Sequence, residues 1–260
     1  MDQGGTKLRS LLRTALSIAA VGAAVAVFVD QLAGRAAEPG IPFERWYGNW
    51  KSVAVATGLF ALFLFTLARP RRRREWRHAG LYSAFLISLF TEMFGVPLTI
   101  YLLSSLLGLP VHGFGLRESH LWAYLLSRLG VIPLAQGVWL VMVVSAGVIA
   151  LGVCLVALGW HHVYAARNEL ATSGIYGFLR HPQYLGLMLV VLGFLVMWPT
   201  LPTVLIAPIL MAVYLRLARR EDAELEERFG PAFRGYRERV PAFVPWPRPR
   251  ATLRKLGEMP

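Results

Sequence analysis

Gly177-Phe178-Leu179-Arg180-His181-Pro182-Gln183-Tyr184-Leu185-Gly186 sets a cationic and aromatic knot against the start of an apolar run that continues to Trp198. Pro182 suits the first turn of a helix, where a missing N–H costs nothing. It also holds the preceding residue extended, so His181 is expected to turn its imidazole away from the helix. Arg180, His181, free backbone N–H groups and the positive helix end would then converge on a point suited to a carboxylate or phosphate. Gly186, one turn beyond Pro182, is expected to leave room for a flat ligand against the backbone. The same residue types also serve as plain interfacial anchors at the ends of membrane helices, so both readings stand at this point.

The surrounding composition favours a membrane setting. Of 260 residues, 56% are hydrophobic and 16% charged, with a mean hydropathy of +0.51, which is the balance of a polytopic membrane protein. A net charge of +12 could suggest nucleic acid. The basic residues, however, gather in patches between apolar runs and near the C-terminal end, as cytoplasmic-leaflet segments do; membrane lipids are therefore the expected contact and nucleic acid is not. The single cysteine, Cys154, excludes an intramolecular disulfide. There is no Cys/His metal spacing, and the adjacent His161-His162 pair has poor geometry for joint chelation, so no metal site is expected.

In chain order, Lys7, Arg9 and Arg13 precede an apolar run over residues 16–29. It reads as a cleaved signal or a retained first span; the second is favoured because no small-residue cleavage site directly follows. Residues 53–68 form a second span, followed by six arginines within the nine residues 69–77. Residues 81–107 form a third and carry Glu92, the one acidic residue inside any expected span. At a rise of about 1.5 Å per residue, Glu92 lies about 18 Å along its helix from Gly80, too deep to snorkel. It must be protonated, paired or facing water, and a role at that depth is the default expectation. Residues 108–133 are polar and aromatic, with a short interfacial helix over 121–129. Residues 138–158 form a fourth span. After a polar loop over 160–183, residues 184–198 and 203–214 form a tight helical hairpin about Pro199-Thr200-Leu201-Pro202. A charged amphipathic helix then runs from Arg216 to Gly230 ahead of a tail. The expected fold is all-α and integral to the membrane, with about six transmembrane helices including the C-terminal hairpin, then a cytosolic amphipathic helix and tail. The Lys/Arg bias places 69–77, 160–183, the tail and both termini on the cytosolic side, in the cytoplasmic membrane.

A resemblance enters with the order of several short motifs. Thr172-Ser173-Gly174-Ile175-Tyr176, the Arg180 to Gly186 stretch, Glu221-Asp222 with Leu225 and Phe229-Gly230, then Tyr236 and Val240-Pro241-Ala242-Phe243-Val244-Pro245 follow one another. Over roughly residues 160–246 this resembles the C-terminal half of the isoprenylcysteine carboxyl methyltransferase family, and it is similar to the phospholipid N-methyltransferases. The resemblance implies an integral-membrane methyltransferase that holds S-adenosylmethionine at the cytosolic face, between the Arg-His-Pro motif and the C-terminal helix. Residues 1–135 would shape the acceptor side, and 136–260 would form the methyltransferase-like core with cofactor site and tail. Cofactor-binding residues carried over are Tyr176, Arg180, His181, Pro182, Tyr184, Gly186, Glu221 and Asp222. Asp222 stands where a second Glu is common, and Phe233 where a Tyr is usual. NADPH-dependent sterol reductases have a similar tail, but Gln183 and Leu187 replace their Asn and Glu, which tilts the reading to methyl transfer. A non-catalytic carrier or sensor on the same fold is the alternative of another class.

The chemistry of S-adenosylmethionine assigns roles independently. Its carboxylate suits Arg180, His181 and the helix start; its ribose diol suits a carboxylate acceptor such as Glu221; its adenine or sulfonium suits the ring of Tyr176 or Tyr184. Glu221 and Leu225 share a helical face with Asp222 beside them, although a solvated helix laced with pairs such as Glu224 to Arg228 has the same pattern. Two residues are expected on the acceptor side: Arg216, holding a carboxylate or phosphate, and Glu92, orienting the acceptor head or taking its proton. The acceptor itself, whether a prenylated thiol acid, a phospholipid amine, a thiol or another lipophile, is not selected by the sequence.

Overall fold

The computed structural model describes residues 47–63, 73–108, 114–115, 117–166 and 169–244, and every regular element among them is helical. The expected span over 16–29 and the Trp246 end of the tail lie outside these residues, as do Arg69 to Arg72. The helices are α1 (Trp50–Phe63), α2 (Arg73–Phe90), α3 (Leu98–Leu107), α4 (Leu121–Arg128), α5 (Leu134–Ala165), α6 (Pro182–Met197), α7 (Leu201–Phe229) and α8 (Pro231–Arg239). Leu134–Val163 and Leu201–Phe229 are each long and apolar enough to cross a membrane, and Trp50–Leu62 and Pro182–Met197 are shorter apolar helices. The chain divides into two compact units, Met1–Ala150 with Leu189–Met211, and Leu151–Met188 with Ala212–Pro260.

In the first unit, the expected third span is not one straight helix. A π-helical stretch, Thr91–Gly95, follows α2. Ala79–Gly95 and Leu98–Leu106 then meet at 66°, the geometry of a broken span or a re-entrant loop. Pro97 supplies the cause, since it lacks an N–H and forces Val96 to be extended, at φ −119° and ψ 110°. The break leaves the first N–H groups of α3 needing acceptors. Glu92 Oε2 meets one of them, accepting from Thr99 N at 3.0 Å. The Thr99 hydroxyl oxygen in turn accepts from Leu201 N at 2.9 Å, at the start of α7. Asn49 caps α1 through Oδ1 to Ser52 N at 3.1 Å, and the 48–49 segment docks on the π-helical stretch through Gly48 N to Gly95 O and Asn49 N to Phe94 O. Phe60, Phe90 and Phe194 close this unit's core, with ring centroids 5.2–5.7 Å apart.

The hairpin forms where expected. Its turn is fixed by a reciprocal cap in which Thr200 N donates to Thr203 Oγ1 at 3.0 Å and Thr203 N donates to Thr200 Oγ1 at 3.3 Å. The charged helix expected to begin near Arg216 is not separate, because α7 runs unbroken from the apolar arm to Phe229.

In the second unit, the end of α5 packs against the start of α6 through two glycines. A Cβ on Gly159 would stand 3.3 Å from Gln183 N and from Pro182 Cγ; one on Gly186 would stand 2.5 Å from Gly152 O. Such close backbone approach is a common use of small residues between membrane helices. Gly186 is therefore filled by α5, and the room for a flat ligand expected there is taken by a helix crossing. Gly230, at φ +54°, turns the chain from α7 into α8, whose first residue is Pro231. Phe233, Tyr236 and Val240 then pack under Leu170, Leu225 and Phe229. Phe233 is fully buried, so a phenyl ring at this position meets no need for a hydroxyl partner.

Candidate functional site

Arg180, His181, Glu221 and Asp222 come together within the second unit, from two stretches of chain. Pro182 starts α6 as the sequence predicts, leaving His181 ahead of the helix and 1% exposed. On α7, Glu221 and Asp222 present neighbouring carboxylates to the knot. The Arg180 guanidinium donates through Nη1 to Asp222 Oδ2 and through Nε to Val240 O at 3.0 Å. His181 Nε2 lies 2.9 Å from Asp222 Oδ1. Its other nitrogen, Nδ1, faces Glu221 Oε2 at 3.7 Å, an ion-pair distance too long for a hydrogen bond. Both of these atoms are buried and without a hydrogen-bond partner among the described residues.

The tail straps this knot down. Arg180 N donates to Pro241 O at 2.9 Å and His181 N donates to Ala242 O at 3.1 Å. The sequence reading left these two N–H groups free for an anion; the structure commits them to the tail, and it commits the guanidinium to Asp222 and Val240. Two rings lie near the imidazole, Tyr184 and Phe243 each with a centroid 5.8 Å away, and Tyr184 stacks on Tyr214. Tyr184 is half-buried. Tyr176, by contrast, is buried, with its hydroxyl donated to Gln183 Oε1 at 2.7 Å, and its carbonyl accepts from Tyr236 OH at 2.7 Å. It is a strut under the knot, and burial pushes its phenol well above the ordinary value, keeping it a neutral donor.

Electrostatics at His181 pull in opposite directions. Burial disfavours the charged ring, but the hydrogen bond it donates to Asp222 and the nearby Glu221 carboxylate outweigh it, and the imidazole titrates above the ordinary histidine value. Asp222 makes Nε2 the donor. Nδ1 is then an acceptor in the neutral ring and a second donor in the imidazolium. The site thus offers, side by side, a donor on His181 and an acceptor on Glu221, the pairing that a ligand hydroxyl or diol satisfies.

Two predicted residues are not brought to this cluster. Arg216 is exposed, and at 3.6 residues per turn it projects about 120–140° around α7 from Asp222 and Glu221. Glu92 belongs to the first unit, 3% exposed, with Oε2 on Thr99 N and Oε1 without a partner among the described residues. Gln183, Tyr236 and Phe243 were missed as site-building residues. The Gln was read only as a departure from the reductase pattern, and the other two only as landmarks of the tail.

The comparisons with known proteins fall on the same part of the chain. Residues 126–232 match the phospholipid methyltransferase family. The chain is 33% identical over 89 residues to the protein-S-isoprenylcysteine O-methyltransferase of Schizosaccharomyces pombe, covering 33% of this chain and 38% of that protein. It is 38% identical over 101 residues to the cobalt-zinc-cadmium resistance protein CzcN of Cupriavidus metallidurans, covering 36% and 46%. No solved structure matches. The resemblance drawn from the motifs is met by both comparisons: this part of the chain is similar to the phospholipid methyltransferases and to an isoprenylcysteine O-methyltransferase. The matched stretches span less than half the length of either relative.

Proposed function

We propose that this protein transfers a methyl group from S-adenosylmethionine to a lipophilic, membrane-embedded acceptor at the cytosolic face of the membrane. The observation that carries this is the opposed pair His181 Nδ1 and Glu221 Oε2, buried and 3.7 Å apart without a hydrogen bond. Bound here, S-adenosylmethionine would supply an electrophilic methyl on a sulfonium. The residues fit its polar groups: Glu221 would accept from the ribose hydroxyls, the His181 imidazolium would donate to a hydroxyl or carboxylate, and the half-buried ring of Tyr184 would face the adenine or the cation. Arg180 and Asp222 act one step back. They hold the tail and fix the imidazole, so the donor is oriented before a ligand arrives, which lowers the cost of binding.

On the acceptor side, Glu92 keeps one buried carboxyl oxygen in reserve. We assign it to orienting the acceptor's polar head or taking its proton, with the Thr99 contact holding the carboxyl in place. The decisive test is incubation of membranes containing the protein with methyl-labelled S-adenosylmethionine, followed by solvent extraction. Label in the lipid extract, lost in Glu221→Ala, is expected; an extract no more labelled than that of membranes without the protein would overturn the reading.

A further inference from the structure

We propose that Arg216, Arg219 and Arg220 form a binding surface for the phosphate headgroups of anionic phospholipids, which fixes the depth of α7 in the bilayer. The three arginines are spaced i, i+3, i+4, so they occupy one face of the helix. They follow directly on the apolar arm of α7 and lie beside the exposed Leu215. All three are exposed.

Their lack of protein partners sets them apart from the basic residues that follow. Arg234 and Arg237 reach Glu226 at 3.8 and 2.7 Å. Arg239 donates to Gly235 O, and Arg228 lies 5.0 Å from the centre of the Phe229 ring. The Arg216, Arg219 and Arg220 side chains have no hydrogen bond or ion pair among the described residues. Like charges at this spacing repel one another and weaken a helix unless an external anion answers them. The order along α7 says where that anion lies. An apolar stretch to Leu215, an arginine band at 216–220 and an acidic band from Glu221 to Glu227 follow in turn, so the arginines sit next to the apolar stretch and the acids lie beyond. That is the order from hydrocarbon to phosphate to water, and guanidinium groups hold phosphate oxygens in pairs. Because Glu221 and Asp222 are the next two residues, a helix fixed at this band would also fix the depth of their carboxylates.

The test uses the full-length protein in nanodiscs of phosphatidylcholine alone or mixed with phosphatidylglycerol. The wild type should gain thermal stability with phosphatidylglycerol and retain that lipid preferentially when released for mass spectrometry, by about fivefold for each arginine engaged. Arg216→Gln/Arg219→Gln/Arg220→Gln should lose both effects, Arg216→Lys/Arg219→Lys/Arg220→Lys should keep part of them, and Arg228→Gln/Arg234→Gln/Arg237→Gln should respond as the wild type. The single variants Arg219→Gln and Arg220→Gln, each expected to lose a share of the preference, decide the matter should the triple glutamine variant not fold. Any one of three results would overturn the proposal: a wild type indifferent to phosphatidylglycerol, glutamine variants that respond in full, or the same gain in phosphatidylcholine from inorganic phosphate or soluble glycerol phosphate.

Discussion

His181 Nδ1 and Glu221 Oε2 face each other at 3.7 Å, both buried, with neither making a hydrogen bond among the described residues. On the far side of the same ring, Nε2 is held at 2.9 Å by Asp222, which also takes the Arg180 guanidinium. One edge of the imidazole is tied to the protein, and the other, buried beside Glu221, makes no hydrogen bond among the described residues.

The tied edge predicts the behaviour of the tail. Arg180→Ala removes a largely buried ion pair and the bond to Val240 O, at a cost of about 2 kcal/mol. The Arg180 and His181 amides, now bonded to Pro241 and Ala242, should then exchange hydrogen faster, and residues 231–244 should become open to proteolysis. Unchanged exchange at those two amides would mean that the strap holds without the clasp.

The raised titration of His181 gives a pH dependence with a definite sign. Because the folded-state value lies above that of an unfolded histidine, its contribution to stability is fully present below about pH 6.5 and is lost as pH rises through the folded value. The groups facing the ring are Asp222, Glu221 and, through Asp222, Arg180. The melting temperature of the wild type should therefore fall toward that of His181→Gln as pH is raised through this range. A gap between the two that widens with pH would show the opposite shift.

Gly186 and Gly235 make a matched pair. Alanine at 186 would place its Cβ 2.5 Å from Gly152 O and 2.9 Å from Val156 N, both backbone atoms of α5 that cannot give locally. Such overpacking costs about 1–3 kcal/mol. At Gly235, inside α8, nothing lies within 4 Å of a Cβ, and alanine should stabilise by up to about 1 kcal/mol. Thermal denaturation of the two variants side by side checks both; a stable Gly186→Ala would contradict the close crossing of α5 and α6.

Glu92 has two oxygens with separable roles. Glu92→Gln keeps an acceptor for Thr99 N and should stay near wild-type stability, whereas Glu92→Ala leaves α3 uncapped and should lose about 0.5–2 kcal/mol. With cofactor affinity unchanged, Glu92→Gln should still depress methyl transfer at saturating S-adenosylmethionine. Full turnover in that variant would leave Glu92 the cap of a broken helix and nothing more.

Much of this arrangement was legible in the sequence because it depends on local chemistry. Pro182 marks the start of α6, Pro199 and Pro202 bracket the hairpin turn, and the Glu221-Asp222 pair faces the knot as one-turn spacing requires. What stayed hidden was non-local. The bend at residues 95–97 looked like one 27-residue span because Gly95 and Pro97 are tolerated within apolar runs, and the acceptor that repairs the break, Glu92, is supplied from seven residues back. Gly186 looked like room for a ligand because a sequence cannot say which neighbour approaches a glycine. The backbone bonds from Arg180 and His181 to Pro241 and Ala242 span about sixty residues and leave no trace in spacing or periodicity.

The central claim rests on what enters between His181 and Glu221, and titration calorimetry of the purified protein measures it directly. S-adenosylmethionine or S-adenosylhomocysteine should bind the wild type, and His181→Ala and Glu221→Ala should each weaken binding about tenfold or more while remaining folded. NADPH should give no heat. Binding of NADPH alone, or unchanged affinity for S-adenosylmethionine in both variants, would contradict the account.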